Sequence, residues 1–221
     1  MAKCWSLKDF KKGFIRCSEL NLSYQNIGDN EARVIADAIV SYNSCDFNTL
    51  CPQITKLNLY SNNITSKGAS ELARTIGVNS PLTHLDLGYN NIGNSGIEAI
   101  SNALITNTSL NKLSIDQNTF DDKGTEYLAQ GILNHSSLSS IDISHNNISN
   151  SGAYLLVKSI LQKPHLTNLQ MYGNNISNRF IEHLNVPYKI SHFPCNNINI
   201  YQNNIYSSDD YEYMPLGGIS D

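Results

Sequence analysis

No stretch of the 221 residues is apolar for long enough to cross a membrane. The opening, MAKCWSLKDFKKGFIRC, lacks the apolar run of a secretory signal. Nor is there a strong excess of positive charge. A net charge of −4 and an isoelectric point near 5.8 argue against nucleic acid or an anionic membrane as the main partner. The five cysteines make no disulfide framework. Cys45 and Cys51 have five residues between them, which is not a usual metal spacing. Reduced thiols in a cytosol are the expectation. A strand-to-helix nucleophile elbow, a glycine-rich phosphate loop and an HExxH pair are all missing. The chain is therefore expected to be non-catalytic, with no metal and no cofactor.

Asparagine, by contrast, occurs 30 times, and much of it belongs to a repeat. Thr55 begins TKLNLYSNNITSKGASELARTIGVNSPL, and Thr83 begins THLDLGYNNIGNSGIEAISNALITNTSL. Two more such units begin at Asn111 and Ser139, so Leu57, Leu85, Leu113, Ile141 and Leu169 step by 28 residues. Each unit opens with alternating apolar residues, such as Leu57 and Leu59, the mark of a short strand with one buried face. An amide follows: Gln25, Asn62, Asn90, Asn118, Asn146, Asn174 and Asn203. With two donors and an acceptor, each suits a ladder that satisfies backbone groups where the chain leaves the strand.

An apolar anchor comes next (Ile64, Ile92, Phe120, Ile148, Ile176), and two residues on sit Ser66, Asn94, Asp122, Asn150 and Asn178, read as helix N-caps. The period then becomes helical, with Ala69, Leu72, Ala73 and Ile76 on one face. No unit can bury both faces alone, so neighbours must stack. Helices pack about 8–10 Å apart and strands about 4.8 Å apart, so the stack must curve with its strands inside.

The LxxLxLxxN phrase at this step, each followed by a full helix, resembles the ribonuclease-inhibitor-like leucine-rich repeat family. That resemblance implies an α/β leucine-rich repeat solenoid, a right-handed arc with parallel strands on the concave face and helices on the convex face. It also implies a protein-binding scaffold. About seven repeats span residues 17–205, starting at Cys17, with an insertion within residues 41–53. Residues 1–16 read as a helical cap over the open end, because Leu7, Phe10 and Phe14 share one helical face. Residues 206–221 read as an acidic flexible tail. Cys17 and Cys195 take the first apolar position of their repeats, and the sequons within NNI[ST] follow from the repeat consensus.

Between the buried strand residues lie three columns that face the arc. The candidate binding residues there and just beyond are Lys56, Tyr60, His84, Asp86, Tyr89, Asp116, Asp142, His145, Tyr172 and Tyr201. Tyrosine around an acidic centre suits a basic or mixed protein surface. The expectation is a monomeric interaction module for an unidentified protein, acting in its own cytosol or secreted into a host cytosol without a classical signal. It resembles the repeat-bearing effectors of intracellular bacteria. The alternative is a GTPase-activating protein, since activators of a nuclear-transport GTPase share this repeat family. Only four arginines exist (Arg16, Arg33, Arg74, Arg179), and none falls on the concave columns.

Overall fold

The alternation at the head of each unit becomes a strand of three residues, too short to stand without neighbours. The computed structural model describes residues 18–43, 53–77, 80–160, 162, 165–185 and 197–199. The expected amino-terminal helix, most of the inserted loop, Tyr201, Asn203, the cysteines and the tail lie outside them. The strands are β1 (Glu19–Asn21), β2 (Lys56–Asn58), β3 (His84–Asp86), β4 (Lys112–Ser114), β5 (Ser140–Asp142), β6 (Asn168–Gln170) and β7 (Asn197–Asn199). All pair in parallel in sequence order. Parallel neighbours require a crossover, supplied by α1 (Asp29–Asn43), α2 (Ser66–Ile76), α3 (Gly93–Thr106), α4 (Asp122–Asn134), α5 (Asn150–Ile160) and α6 (Asn178–Asn185). The result is a right-handed α/β solenoid, strands on one face and helices on the other.

Register follows the repeat residue for residue: Leu20, Leu57, Leu85, Leu113, Ile141 and Leu169 are successive Cα partners. Each is at most 2% exposed. A second buried row holds Leu22, Leu59, Leu87, Ile115, Ile143 and Met171, and a third runs from Ile27 to Ile176 through Phe120. The helices close the interior with Ile35, Leu72, Ile100, Leu128 and Leu156. A side chain in the middle of such a row touches the units on both sides. Truncating one to alanine costs about 2–5 kcal/mol.

The helix N-termini depart from the sequence reading. Ser66, Asn94, Asp122 and Asn150 do not cap their own helices; in three of the four helices the preceding residue does. Thr65 Oγ1 accepts from Lys67 N (3.4 Å), Asp121 Oδ1 from Lys123 N (2.9 Å) and Ser149 Oγ from Ser151 N (3.1 Å). Three of the residues first read as caps, along with Asp29, instead reach into the following unit. Asp29 Oδ1 accepts from Thr65 N (2.8 Å) and Gly68 N (2.9 Å), and Asn94 Oδ1 from Asp121 N (3.0 Å) and Gly124 N (3.1 Å). Asp122 takes Ser149 N at 2.7 Å, and Asn150 takes Ser177 N at 2.9 Å. Helix α3 has no side-chain cap bond.

This reach explains the glycines at Gly68, Gly124 and Gly152, whereas at Gly96 a β-carbon would instead meet Ile92 Cγ2 at 2.2 Å. A β-carbon at Gly124 would sit 2.7 Å from Asn94 Oδ1 and 2.9 Å from Phe120 Cβ, and one at Gly152 would sit 2.4 Å from Asp122 Oδ1. In the sixth unit Phe180 stands in the glycine column, and its N–H bonds Ser177 Oγ at 3.2 Å, just before its own helix.

Candidate protein-binding face

The strands leave the core through the amide ladder. Asn118, fully buried, donates from Nδ2 to the Leu87 and Asp116 carbonyls (2.8 and 2.9 Å) and accepts at Oδ1 from Ile92 N (3.2 Å). Asn62, Asn90, Asn146 and Asn174 each donate to the preceding unit's carbonyl row and accept from backbone N–H groups of that unit. Gln25 differs. Its longer side chain is exposed and donates within its own unit, to the Ser23 carbonyl at 3.5 Å.

The residue before each ladder position has a left-handed backbone: Tyr24 (φ 58°), Ser61 (54°), Tyr89 (54°), Gln117 (50°), His145 (54°) and Gly173 (68°). For a residue with a β-carbon this conformation costs roughly 1–2 kcal/mol, yet only one of the six is glycine. Parallel pairing continues through this column, with Tyr89 N on the Asp116 carbonyl (2.9 Å) and His145 N on the Tyr172 carbonyl (2.8 Å). The strained residues are therefore held by backbone bonds, and their side chains splay along the exit edge of the sheet. Tyr24 is 71% exposed and Tyr89 53%.

Aromatic rings gather at this edge. Tyr60 lies 5.6 Å from Tyr24 and 6.0 Å from Tyr89 between ring centroids, and His145 meets Tyr172 edge-on at 4.9 Å. Tyr89, Gln117, Thr119 and His145 line an open groove of about 670 Å³ together with Asn62, Asn63, Thr65, Asn90 and Asn91.

The opposite edge is basic. Lys56 pairs with Glu19 at 2.6 Å. His84 stands between Lys56 and Lys112 in register, and its pKa is lowered by burial and then by those two ammonium groups. His84 Nδ1 lies 2.8 Å from Thr83 Oγ1, while Asp86 accepts from Gly88 N at 3.0 Å. The two are neighbours on one strand without forming a His–Asp pair.

Between the edges lies the acidic centre. Asp86 and Asp142 flank Ser114 in register, and Asp116 sits two residues beyond it. Ser114 Oγ donates to Asp116 Oδ1 at 2.7 Å, and Asp142 accepts from Ser144 N at 3.0 Å. Burial raises the pKa of Asp86, and the charges of Asp116 and Asp142 add to it; burial and Asp142 raise that of Asp116. Tyr60 is also pushed up, by burial first and then by Tyr24, Asp116 and Asp86.

Of the candidate residues, Tyr60, Tyr89, His145 and Tyr172 gather at the exit edge, Asp86, Asp116 and Asp142 in the middle, and Lys56 and His84 at the entry edge. Tyr201 lies outside the described residues. No group of three or more His, Cys, Asp or Glu among the described residues is placed to hold a metal ion. No helix among them is long and apolar enough to cross a membrane.

Four stretches match the leucine-rich repeat family model: residues 51–73, 78–101, 106–129 and 134–157. The chain carries a leucine-rich repeat domain. No curated protein matches the sequence. Among solved structures, the domain is similar to the actin-binding site 2 of leiomodin-1, with a TM-score of 0.54 and 16% identity over 65% of this chain and 78% of that one. A protein of Bacteroides fragilis aligns over 90% of this chain and 69% of its own, with 15% identity and a TM-score of 0.39.

Two features of the leucine-rich repeat domain escape the strand-and-helix reading. One is the left-handed column. The other is a second ladder where helices return to strands: Asn107 Oδ1 accepts from Ser109 N and Leu110 N (3.0 and 2.8 Å), and its Nδ2 donates to the Ile76 carbonyl. One unit on, His135 Nδ1 accepts from Ser137 N and Leu138 N (3.2 and 3.1 Å), so its proton is on Nε2, 3.0 Å from Asn107 Oδ1. The spacing of Asn107–Leu110 and His135–Leu138, 28 residues apart, is the signal that reveals it.

Proposed function

We propose that this leucine-rich repeat domain is a non-catalytic interaction module that grips a protein partner on its concave face, with Lys56, Tyr60, His84, Asp86, Tyr89, Asp116, Asp142, His145 and Tyr172 as contacts. The observation that carries the reading is the exposure of Tyr24 and Tyr89 at backbone positions that favour glycine. Packing on Tyr60 still leaves both residues more than half exposed, and exposed rigid tyrosines are typical anchors of interfaces. Seven strands about 4.8 Å apart give a face roughly 30 Å across, enough for a standard interface of about 800 Å² per partner.

In its finer form the proposal is a ribonuclease-inhibitor-like scaffold, acting as a monomer in a cytosol and possessing neither a nucleic-acid nor a membrane target. A host-directed effector role fits the same surface. The similarity to leiomodin-1 is one of fold and names no partner here. The alternative, activation of a GTPase, is disfavoured by arginine placement: Arg74 is held on the convex side by Asp37 (2.7 Å) and Glu71 (3.1 Å), and Arg33 and Arg179 also lie on helices. A single-turnover GTP hydrolysis assay across small GTPases tests that alternative, and marked acceleration would establish it. The main reading is tested by affinity capture with the intact chain beside one carrying Tyr60→Ala, Asp116→Ala and Tyr172→Ala. A partner lost with the variant supports the concave face, and a partner retained equally by both refutes it.

A further inference from the structure

The acidic centre is left electrostatically incomplete by the fold itself. Asp86, Asp116 and Asp142 belong to no ion pair among the described residues, although Lys56, Arg74 and Lys123 all do. Asp86 and Asp142 each accept from one backbone N–H, Asp116 accepts from the Ser114 hydroxyl and is supported by its own N–H and by nearby His145, and the Ser114 proton is shared with Asp86. One hydroxyl proton cannot satisfy both carboxylates beside it.

The floor beside these carboxylates is shaped by absence. Gly88, Asp116, Ser144 and Tyr172 follow one another across adjacent strands, in the column that faces the arc. A β-carbon at Gly88 would meet Asp116 Oδ1 at 2.2 Å and Tyr60 Cδ2 at 2.9 Å, so glycine there lets the carboxylate and the ring lean over the neighbouring strand. On the other side of Asp116, the Ser144 hydroxyl is fully buried and has no hydrogen-bond partner among the described residues. An unpaired buried hydroxyl costs roughly 1–3 kcal/mol. A site that holds three carboxylates without a salt-bridge partner and an idle hydroxyl oxygen is short of cationic donors.

We propose that this notch receives the side-chain cation of a lysine or arginine presented by the protein partner, with Asp116 at its centre, Asp86 and Asp142 to either side, and Ser144 Oγ accepting a further N–H. An ammonium group brings three donors and a guanidinium five, matching a set of acceptors that has almost none. Tyr60 and Tyr172, on either side in the same column, cover the apolar stem of the incoming residue. Specificity follows from the same charges, because an acidic or apolar residue entering here would leave the carboxylates buried and unpaired. This inference rests on the concave face being the binding surface and names the chemistry of its occupant.

The test is selection of a yeast-displayed library of random 12-residue peptides on the folded full chain. Representative winners are then measured against Tyr60→Ala/Tyr172→Ala, Asp86→Asn/Asp116→Asn, and a Lys158→Ala control on the exposed face of helix α5. The expected result is a Lys or Arg shared at one position, a loss of at least tenfold in affinity when it becomes norleucine, and a similar loss with Asp86→Asn/Asp116→Asn. Peptides that lose binding with the tyrosine variant yet share no cation and ignore the aspartate variant would overturn the cation notch while leaving concave-face binding intact. Peptides insensitive to both variants, or no binders at all, would overturn both. Circular dichroism of each variant confirms that the fold is retained. Binding that requires added Ca²⁺ and not a peptide cation would also overturn the assignment.

Discussion

Asn118→Ala isolates the amide ladder in the middle of the stack. The substitution removes two donated bonds and one accepted bond. The Leu87 carbonyl keeps Asn90 Nδ2 at 3.0 Å, and the Asp116 carbonyl keeps Tyr89 N at 2.9 Å, so neither is orphaned. Ile92 N–H is different: Asn118 Oδ1 is its acceptor, and no other is present among the described residues. One buried orphan costs about 1–3 kcal/mol, and each of the two lost bonds about 0.5–1.5 kcal/mol. The sum is a loss of about 2–6 kcal/mol. Urea unfolding followed by circular dichroism measures it, with the exposed Asn63→Ala as a control expected within about 0.5 kcal/mol of the parent. Asn118→Asp sharpens the argument, since it keeps the acceptor for Ile92 N but turns a carboxylate towards two carbonyls. It is expected to destabilise at neutral pH and to recover in part once acid restores a donor. If Asn118→Ala costs no more than the Asn63→Ala control, the ladder is not what holds the strand exits.

Tyr89→Gly is expected to leave stability unchanged or raise it by about 1 kcal/mol, since relief of the left-handed penalty of roughly 1–2 kcal/mol exceeds the entropy cost of glycine; thermal melting measures this. Asp86→Asn and Asp116→Asn should stabilise the domain at pH 7. A carboxylate whose folded pKa is raised costs stability as pH rises through that pKa, so the advantage over the parent should vanish below the ordinary value of 3.8. Asp29 has the opposite sign. Burial alone would raise its pKa, but bonds from Thr65 and Gly68, with Lys67 nearby, lower it overall; its contribution is present above 3.8 and lost as pH falls through the folded value. Melting curves from pH 2.5 to pH 7 for parent and variants separate the two. His135→Ala orphans the N–H groups of Ser137 and Leu138 and should cost about 2–4 kcal/mol, whereas His135→Asn reproduces Asn107 and should cost much less, as urea midpoints would show.

The architecture is legible in the sequence because every core row repeats at one step: once Leu57 and Leu85 are matched, the crossover, the register and the buried face follow. The helix caps are misread for a physical reason. Asn94 and Asp122 look like caps by local position, but their partners lie in the next unit, up to 30 residues away, and no local rule sees that far. Gln25 occupies the ladder position by count, but its side chain is exposed and bonds only the Ser23 carbonyl of its own unit among the described residues. The binding columns are half legible. Alternation identifies which residues face the arc, but the positive φ of Tyr89 and His145 and the idle hydroxyl of Ser144 emerge only when the strands are in place. His135 hides most completely, since a buried histidine doing the work of an asparagine breaks the pattern of letters while keeping the pattern of bonds.

The central claim, that a protein partner is gripped by the concave face, is tested most directly by site-specific photo-crosslinking in cells. A photoreactive phenylalanine analogue at Tyr89 or Tyr172 should give a discrete adduct with another protein, and the same analogue at Val34 or Ile105 on the convex helices should give none. Adducts formed only from Val34 or Ile105 would contradict the account.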